Sequence, residues 1–316
     1  GEPYYKYSQV LKDKYGKKTY KLPVNLPTTC PNRDGSLGKK GCYFCGEEGA
    51  NFEMLPDDMS VRNQLLENKE YIGERYGVDQ FIAYFQNYTN TYLPIEKLKE
   101  YTKVAAEVEG IAAVYFSTRP DAVNERYISD LKNTLLEVSS EIELAFEFGL
   151  QTVNYKTLKK VNRKHGLAEF IDAVLTAKRF KVEVGAHMIL NLPGDDRDDV
   201  IEGARILSAL EVNHVKLHAL YIRENSVFAN QYKNGELEIC SLEEYIERVI
   251  LFLENLAPDI AVQRLIGRAP GDETVFVNWD TPWWEIHEMI IKEMNKRNTF
   301  QGKSYNYLKG KALAKF

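Results

Sequence analysis

The chain reads as an α/β protein, a partial (β/α)6 TIM-like barrel with terminal extensions, and three observations predict this. Strand-like apolar runs alternate with amphipathic stretches along most of the 316 residues. From the second run onward the strands recur at about 30–40 residues, the length of one βα unit with its loops. The runs are rich in Val, Ile, Phe and Tyr without clean polar alternation, as expected of parallel strands covered on both faces.

The strands expected are Thr19–Val24, Gln80–Phe85, Ile111–Ser117, Glu141–Phe148, Val182–Leu190 and His214–Leu220. Between them, Ser60 is placed to cap a helix running to Tyr76, with Gly77 as its left-handed stop. Pro94 suits the first turn of a helix over Ile95–Val108, whose Leu98, Tyr101, Val104, Ala105 and Val108 share a face. Asn124 precedes a helix carrying Ile128, Leu131, Leu135 and Val138 in register. Ser241-Leu242-Glu243-Glu244 reads as a capping box opening a helix to about Leu256, and a further strand and turn follow at Val262–Arg268. A last helix is expected from Pro282 to about Arg297, with Trp283 and Trp284 packed into the core. Six units are too few to close an eight-stranded barrel, so an open one is expected. The expected organisation is one catalytic domain over residues 1–316: an N-terminal basic extension at 1–18, a barrel core at 19–222, and a closing segment with a basic tail at 223–316.

Composition narrows the function classes. Hydrophobic content of 44% and charged content of 28% are those of an ordinary globular chain. No run approaches the about 20 apolar residues of a membrane helix, and no secretory leader opens the sequence, so a reducing cytoplasmic setting is expected. A net charge of −5 argues against a uniformly basic nucleic-acid binder. The charge is uneven, however: residues 1–21 hold six Lys against Glu2 and Asp13, and residues 292–316 hold seven Lys or Arg against Glu293. Basic ends on an acidic body could grip phosphates locally, and so could Lys39 and Lys40.

Cys30, Cys42 and Cys45 carry the most chemical information, in the spacing C-x11-C-x2-C. The remaining cysteine is Cys240, read as an inert thiol, and no histidine precedes His165. Three soft thiolates in one glycine-punctuated loop, with no fourth soft ligand nearby, suit an iron–sulfur cluster better than a closed zinc site. In a parallel βα sheet, function gathers where strands end. Polar segments stand at each such end here: the cysteine loop, Gln86–Tyr92, Ser117–Asp121, Glu147–Gln151, His187–Asp195 and His218–Tyr221.

On these residues the sequence resembles the radical S-adenosylmethionine (SAM) enzymes, within the branch related to the elongator-type tRNA uridine modifiers. The shared segments are CPNRDG with GC-x-x-C, YFQ-x-YTNTY, TRPD, LQ-x10-NR-x-H and LPGD, spread from Tyr4 to about Gly302. The long first cysteine gap departs from the common C-x3-C-x2-C and narrows the subfamily. The resemblance implies a [4Fe–4S] cluster on Cys30, Cys42 and Cys45, with one iron open to SAM.

It further implies that Gln86, Asn87, Tyr88, Thr89 and Asn90 occupy the place of the segment meeting the SAM amino group, although the family's glycines are missing there. Arg163 resembles the arginine that pairs with the SAM carboxylate, and Gln151 and His187 fall where polar groups surround the ribose and sulfonium. Thr118, Arg119 and Glu147 are polar residues of the same rim, with a buried ion pair as the competing reading for Arg119 and Glu147. Arg264 is a further candidate near the adenine, and the tail aromatics and lysines could stack bases. By the same resemblance, the partners expected are tRNA, at its wobble uridine, and a flavodoxin- or ferredoxin-type electron donor. The same chemistry on a small molecule or peptide, or a non-catalytic Fe–S or zinc protein, are the alternatives.

Overall fold

The computed structural model describes residues 1–45, 54–268 and 272–316. The chain opens with helix α1 (Tyr7–Tyr15) and strand β1 (Tyr20–Val24). Then come α2 (Val61–Tyr76), β2 (Phe81–Phe85), α3 (Ile95–Ala106), β3 (Ile111–Thr118), α4 (Glu125–Val138) and β4 (Glu143–Gln151). Two helices, α5 (Tyr155–Lys160) and α6 (Leu167–Arg179), lead to β5 (Glu183–Ile189), and α7 (Arg197–Ala209) leads to β6 (His214–His218). The remainder is β7 (Ile222–Arg223), α8 (Val227–Lys233), α9 (Leu242–Asn255), β8 (Ala261–Arg264), β9 (Thr274–Phe276) and α10 (Trp283–Lys296).

Seven strands form one parallel curled sheet in the order β1-β2-β3-β4-β5-β6-β8, an open half-barrel with helices outside. The six expected strands are all present. The segment after α9 adds the seventh, pairing His214 with Ala261. Strands β7 and β9 pair separately, antiparallel.

Strand parity builds two layers. Phe85, Phe116, Phe146 and Phe148 point outward and stack in a row under the helices, with the Phe85 and Phe116 rings 4.7 Å apart. The alternate residues face the barrel interior, where Ile82, Tyr84, Ala113, Tyr115 and Ala145 form a second small cluster with Tyr7 and Leu11 of α1. The basic N-terminal extension is therefore more than a solvated arm. Its helix plugs the bottom of the open barrel, with Tyr7 Oη 2.5 Å from Tyr115 Oη and Val262 N–H donating to the Tyr5 carbonyl.

Most local signals act as expected. Ser60 Oγ accepts from Asn63 N–H, Asn124 caps α4 through Tyr127 N–H, and Gly77 ends α2 at φ 63°. Two expectations fail. Ser241 does cap α9, but Glu244 completes no box: its carboxylate turns to Arg197 (2.7 Å) and Arg248 (3.1 Å), stronger charge-assisted partners than a backbone N–H. The reciprocal box closes α7 instead, between Asp196 and Asp199. Trp283 and Trp284 are 41% and 54% exposed, because α10 turns Ile286, Ile290 and Met294 inward and leaves its first turn outside. The tail aromatics fold back on the protein: Tyr307 donates to the Asn255 carbonyl and its ring lies 4.5 Å from the Arg205 guanidinium. No described helix is long and apolar enough to cross a membrane.

Candidate functional site

Where the strands of the half-barrel end, a cavity of about 260 Å³ opens, and Cys30, Cys42 and Cys45 all line it. None of the three is in a disulfide. Their loop is tied down by backbone and amide bonds. Gly41 N–H donates to the Asn32 carbonyl (2.8 Å), and Cys45 N–H to that of Cys42 (2.9 Å). Asn32 and Asn162 exchange ties across the loop, Asn32 Nδ2 to the Asn162 carbonyl (2.6 Å) and Asn162 Nδ2 to that of Gly41 (2.7 Å). The segment after α5 thus sets the position of Cys42. Gly46, which closes the cysteine motif, lies outside the described residues.

Three arginines surround these sulfurs. Arg33 Nη2 lies 3.0 Å from Cys45 Sγ, and Arg163 Nη1 lies 3.5 Å from Cys42 Sγ. Burial pushes the Cys45 thiol up, and the Arg33 charge pulls it the other way. Arg119 is 2% exposed, lines the cavity, and is held bidentately by Asp121 at 2.8 and 2.9 Å. Its remaining nitrogen, Nη1, is buried and has no hydrogen-bond partner among the described residues. Unsatisfied buried donors of this kind are costly unless something fills the space beside them.

Arg163 is fixed on its other edges. Nη2 donates to the Gly149 carbonyl (2.6 Å) and Nε to His165 Nε2 (2.7 Å), so His165 is a neutral acceptor. Burial, with Arg163 and Arg119 beside it, holds that imidazole down at about 3. Gly149 must be glycine for this contact, since a Cβ there would lie 2.6 Å from Arg163 Nη2 and 2.7 Å from Gln151 Nε2.

The other residues expected at the rim divide. Gln86, Tyr88, Thr89, Thr118, Gln151 and His187 line the cavity. Asn87 and Asn90 face the framework: Asn87 Nδ2 bonds Asn25 Oδ1 (3.2 Å) and Asn90 Nδ2 the Ser117 carbonyl (2.8 Å). Glu147 is no rim residue. Strand β4 runs on to Gln151, so Glu147 sits a layer deeper, fully buried in the barrel interior. It accepts from Lys21 (2.7 Å), Tyr84 (2.8 Å), His187 (2.6 Å) and Gln263 (2.9 Å), and Lys216 Nζ is 3.2 Å away. Burial opposes its charge, but Lys21, Lys216 and His187 together hold it well below the usual carboxylate range. Leu192–Asp195 forms the expected strand-to-helix turn, with Gly194 at φ 98°.

Sequence reading missed Lys216 and Tyr84, which line the cavity together with His218 of the expected rim segment. The signal was the polar–apolar alternation His214-Val215-Lys216-Leu217-His218, which puts both histidines and the lysine on one face of β6.

The donor set fits a multi-iron cluster. Three free cysteines line one cavity, with guanidiniums beside Cys42 and Cys45. Thiolates on a four-iron cluster each take a separate iron. The arginines suit the negative charge such a centre carries.

Comparison with known proteins agrees. The radical SAM superfamily model matches residues 24–207, and the radical SAM C-terminal domain model matches residues 212–296. The chain belongs to the radical SAM superfamily, enzymes that use a [4Fe–4S] cluster and SAM. It is 30% identical over 300 residues to the uncharacterized protein YtqA of Bacillus subtilis, covering 94% of this chain and 91% of that one. It is 29% identical over 276 residues to YhcC of Escherichia coli K12, covering 87% and 86%. Among solved structures, the archaeal Elp3 of Methanocaldococcus infernus superposes with a TM-score of 0.67 at 17% identity. The match takes in 90% of this chain and 64% of that one, and it bears on the fold alone.

Proposed function

We propose that this radical SAM enzyme modifies tRNA at the wobble uridine, converting a C5 carboxymethylaminomethyl group to aminomethyl. In this reading Cys30, Cys42 and Cys45 hold the cluster. Arg163, Gln151, His187, Thr118, Arg119, Gln86, Tyr88 and Thr89 surround SAM, and a flavodoxin- or ferredoxin-type protein supplies the electron. The chemistry the bound pair would supply is reductive cleavage of SAM to methionine and a 5′-deoxyadenosyl radical able to take hydrogen from the C–H bond next to nitrogen; loss of one electron back to the oxidised cluster and addition of water would then break the C–N bond, releasing the two carbons as glyoxylate and leaving aminomethyl.

The residues of the chain do the rest. Arg33, Arg119 and Arg163 offset negative charge at the thiolates. His165 orients Arg163 through its neutral acceptor nitrogen. Asn87 and Asn90 hold the Gln86–Thr89 loop on the sheet rather than touching the cofactor. The half-barrel walls shield the reacting centre from water.

The observation that carries the substrate assignment, added to the motif resemblance, is a set of exposed lysines on the two chain segments that supply the cysteines and Arg163. Lys39 and Lys40 lie in the cysteine loop, and Lys156, Lys159, Lys160 and Lys164 flank Arg163, all exposed. Exposed lysines on segments that also furnish cavity residues suit a phosphate backbone. Anaerobic incubation of the reconstituted protein with dithionite, SAM and bulk tRNA, followed by nucleoside mass spectrometry, tests it. The expected result is 5′-deoxyadenosine together with loss of carboxymethylaminomethyluridine and gain of aminomethyluridine. Formation of 5′-deoxyadenosine with every nucleoside unaltered would remove the tRNA assignment and keep the chemistry.

A further inference from the structure

Below the cysteines, the floor of the cavity is cationic in a way the reaction centre does not use. Two lysines, Lys21 of β1 and Lys216 of β6, share one carboxylate, Glu147 of β4. Glu147 is already saturated, since Tyr84 of β2, His187 of β5 and Gln263 of β8 also donate to it. The imidazoles nearby add no negative charge: burial holds His187 and His214 at about 4, and burial with Arg264 beside it also lowers His218 well below its ordinary value. Arg264 brings another guanidinium to the same layer, its Nη2 2.9 Å from His218 Nδ1. The carboxylates at the opposite end of the barrel, Glu143 and Glu183, are engaged with Lys14 and reached by water.

Of the two lysines, Lys216 is the one that lines the cavity, as Arg264 does. It is 8% exposed and lines the cavity with Tyr84, His187 and His218. An ammonium has three donors. Glu147 and the Tyr84 hydroxyl, each 3.2 Å away, take two of them, and Glu147 is the one carboxylate among these partners. Burial, against a single shared carboxylate, lowers the Lys216 amine well below its ordinary value. A second anion in the cavity would supply the missing counter-charge and hold the amine protonated.

We infer that Lys216, with Arg264 beside it, recognises a carboxylate on the substrate. The floor lies inside the barrel, beyond the reach of a phosphate backbone at the mouth, so the anion must sit on a short arm extending from a base. This rests on the proposed tRNA reading, in which the modified uridine carries one such arm. Within that reading, the arm's carboxylate docks on the floor and its nitrogen-bound carbon is left facing the cysteine side of the cavity. Arg163, at the end of β4 beside Cys42, is a separate cation and leaves Lys216 for the substrate.

Binding of two anticodon stem-loops to the cluster-loaded, SAM-bound enzyme tests this. One carries carboxymethylaminomethyluridine, the other its neutral carboxamide counterpart. The wild-type protein should prefer the carboxylate by about tenfold or more, as charged hydrogen bonds do. The preference should disappear in Lys216→Met and return in part in Lys216→Arg. Equal affinity of the wild-type protein for the two stem-loops overturns the carboxylate site whatever the variants do, and nucleoside mass spectrometry decides the tRNA reading independently. SAM titrated in parallel separates the two sources of carboxylate. If Lys216→Met weakens SAM and leaves the stem-loop preference intact, Lys216 serves the cofactor and the inference fails.

Discussion

Arg163 Nη2 donates to the carbonyl of Gly149 at 2.6 Å while Nη1 of the same guanidinium lies 3.5 Å from Cys42 Sγ. One side chain thereby ties the end of β4 to the cysteine loop, and the absence of a Cβ on Gly149 makes the approach possible. Gly149→Ala should push the Arg163 and Gln151 side chains aside with little cost to folding, because both ends are flexible. The expected outcome is SAM binding weakened about tenfold or more, with a melting temperature near that of wild type. Normal SAM affinity in this variant would show that the Arg163 position is irrelevant to the cofactor.

Gly185→Ala should behave oppositely. A Cβ at Gly185 would meet the His214 ring at 2.3 Å, and that ring is packed against Tyr115 (5.8 Å, nearly parallel) and Tyr7 (5.0 Å), so it cannot retreat. Overpacking of this kind costs about 1–3 kcal/mol. Chemical denaturation should therefore show a lowered midpoint with an unchanged m-value.

Glu147→Gln leaves Lys21 and Lys216 buried against each other without a counter-charge. Breaking a buried pair from one side costs about 3–5 kcal/mol. The double variant Glu147→Gln, Lys216→Met should recover part of that loss, which urea titrations of the single and double variants will measure.

Stability should fall on mild acidification. His165, His187 and His214 are held neutral by burial, at about 3, 4 and 4, against an ordinary value of 6.5. Between those values and 6.5 the unfolded chain binds more protons than the folded one, so stability decreases as pH drops through that window. Glu147, depressed in the fold, adds its own loss at lower pH still. Urea midpoints at pH 7.5, 6.0 and 5.0 should decline steadily. A flat profile down to pH 5 would show that these rings are charged or solvated in the native state.

Much of this molecule is legible in its sequence, and the failures have physical causes. Six strands and the cysteine loop could be read because apolar runs and metal-ligand spacing are local signals. Glu147 was placed at the rim because the apolar run stops at Phe148, whereas β4 continues through Gly149 and Leu150 to Gln151. That difference moves the carboxylate from mouth to floor. Lys216 escaped notice because a lysine inside a barrel is intelligible only with its partners on β1, β2 and β4, which lie far away in sequence. The plug made by α1 was hidden for the same reason: its short apolar face of Tyr7 and Leu11 has meaning only against Tyr115 and the open barrel end. Trp283 and Trp284 open an amphipathic helix, yet which turn of that helix reaches the core depends on where α9 lies.

The central claim is that Cys30, Cys42 and Cys45 bind a four-iron cluster with one iron left for SAM. Electron paramagnetic resonance of the anaerobically reconstituted, dithionite-reduced protein, recorded with and without SAM and alongside iron, sulfide and zinc analysis, tests it most directly. The account predicts close to four irons and four sulfides per chain, a reduced-cluster signal that changes on adding SAM, and loss of both in Cys42→Ala. One tightly held zinc per chain, or a cluster signal indifferent to SAM, would contradict it.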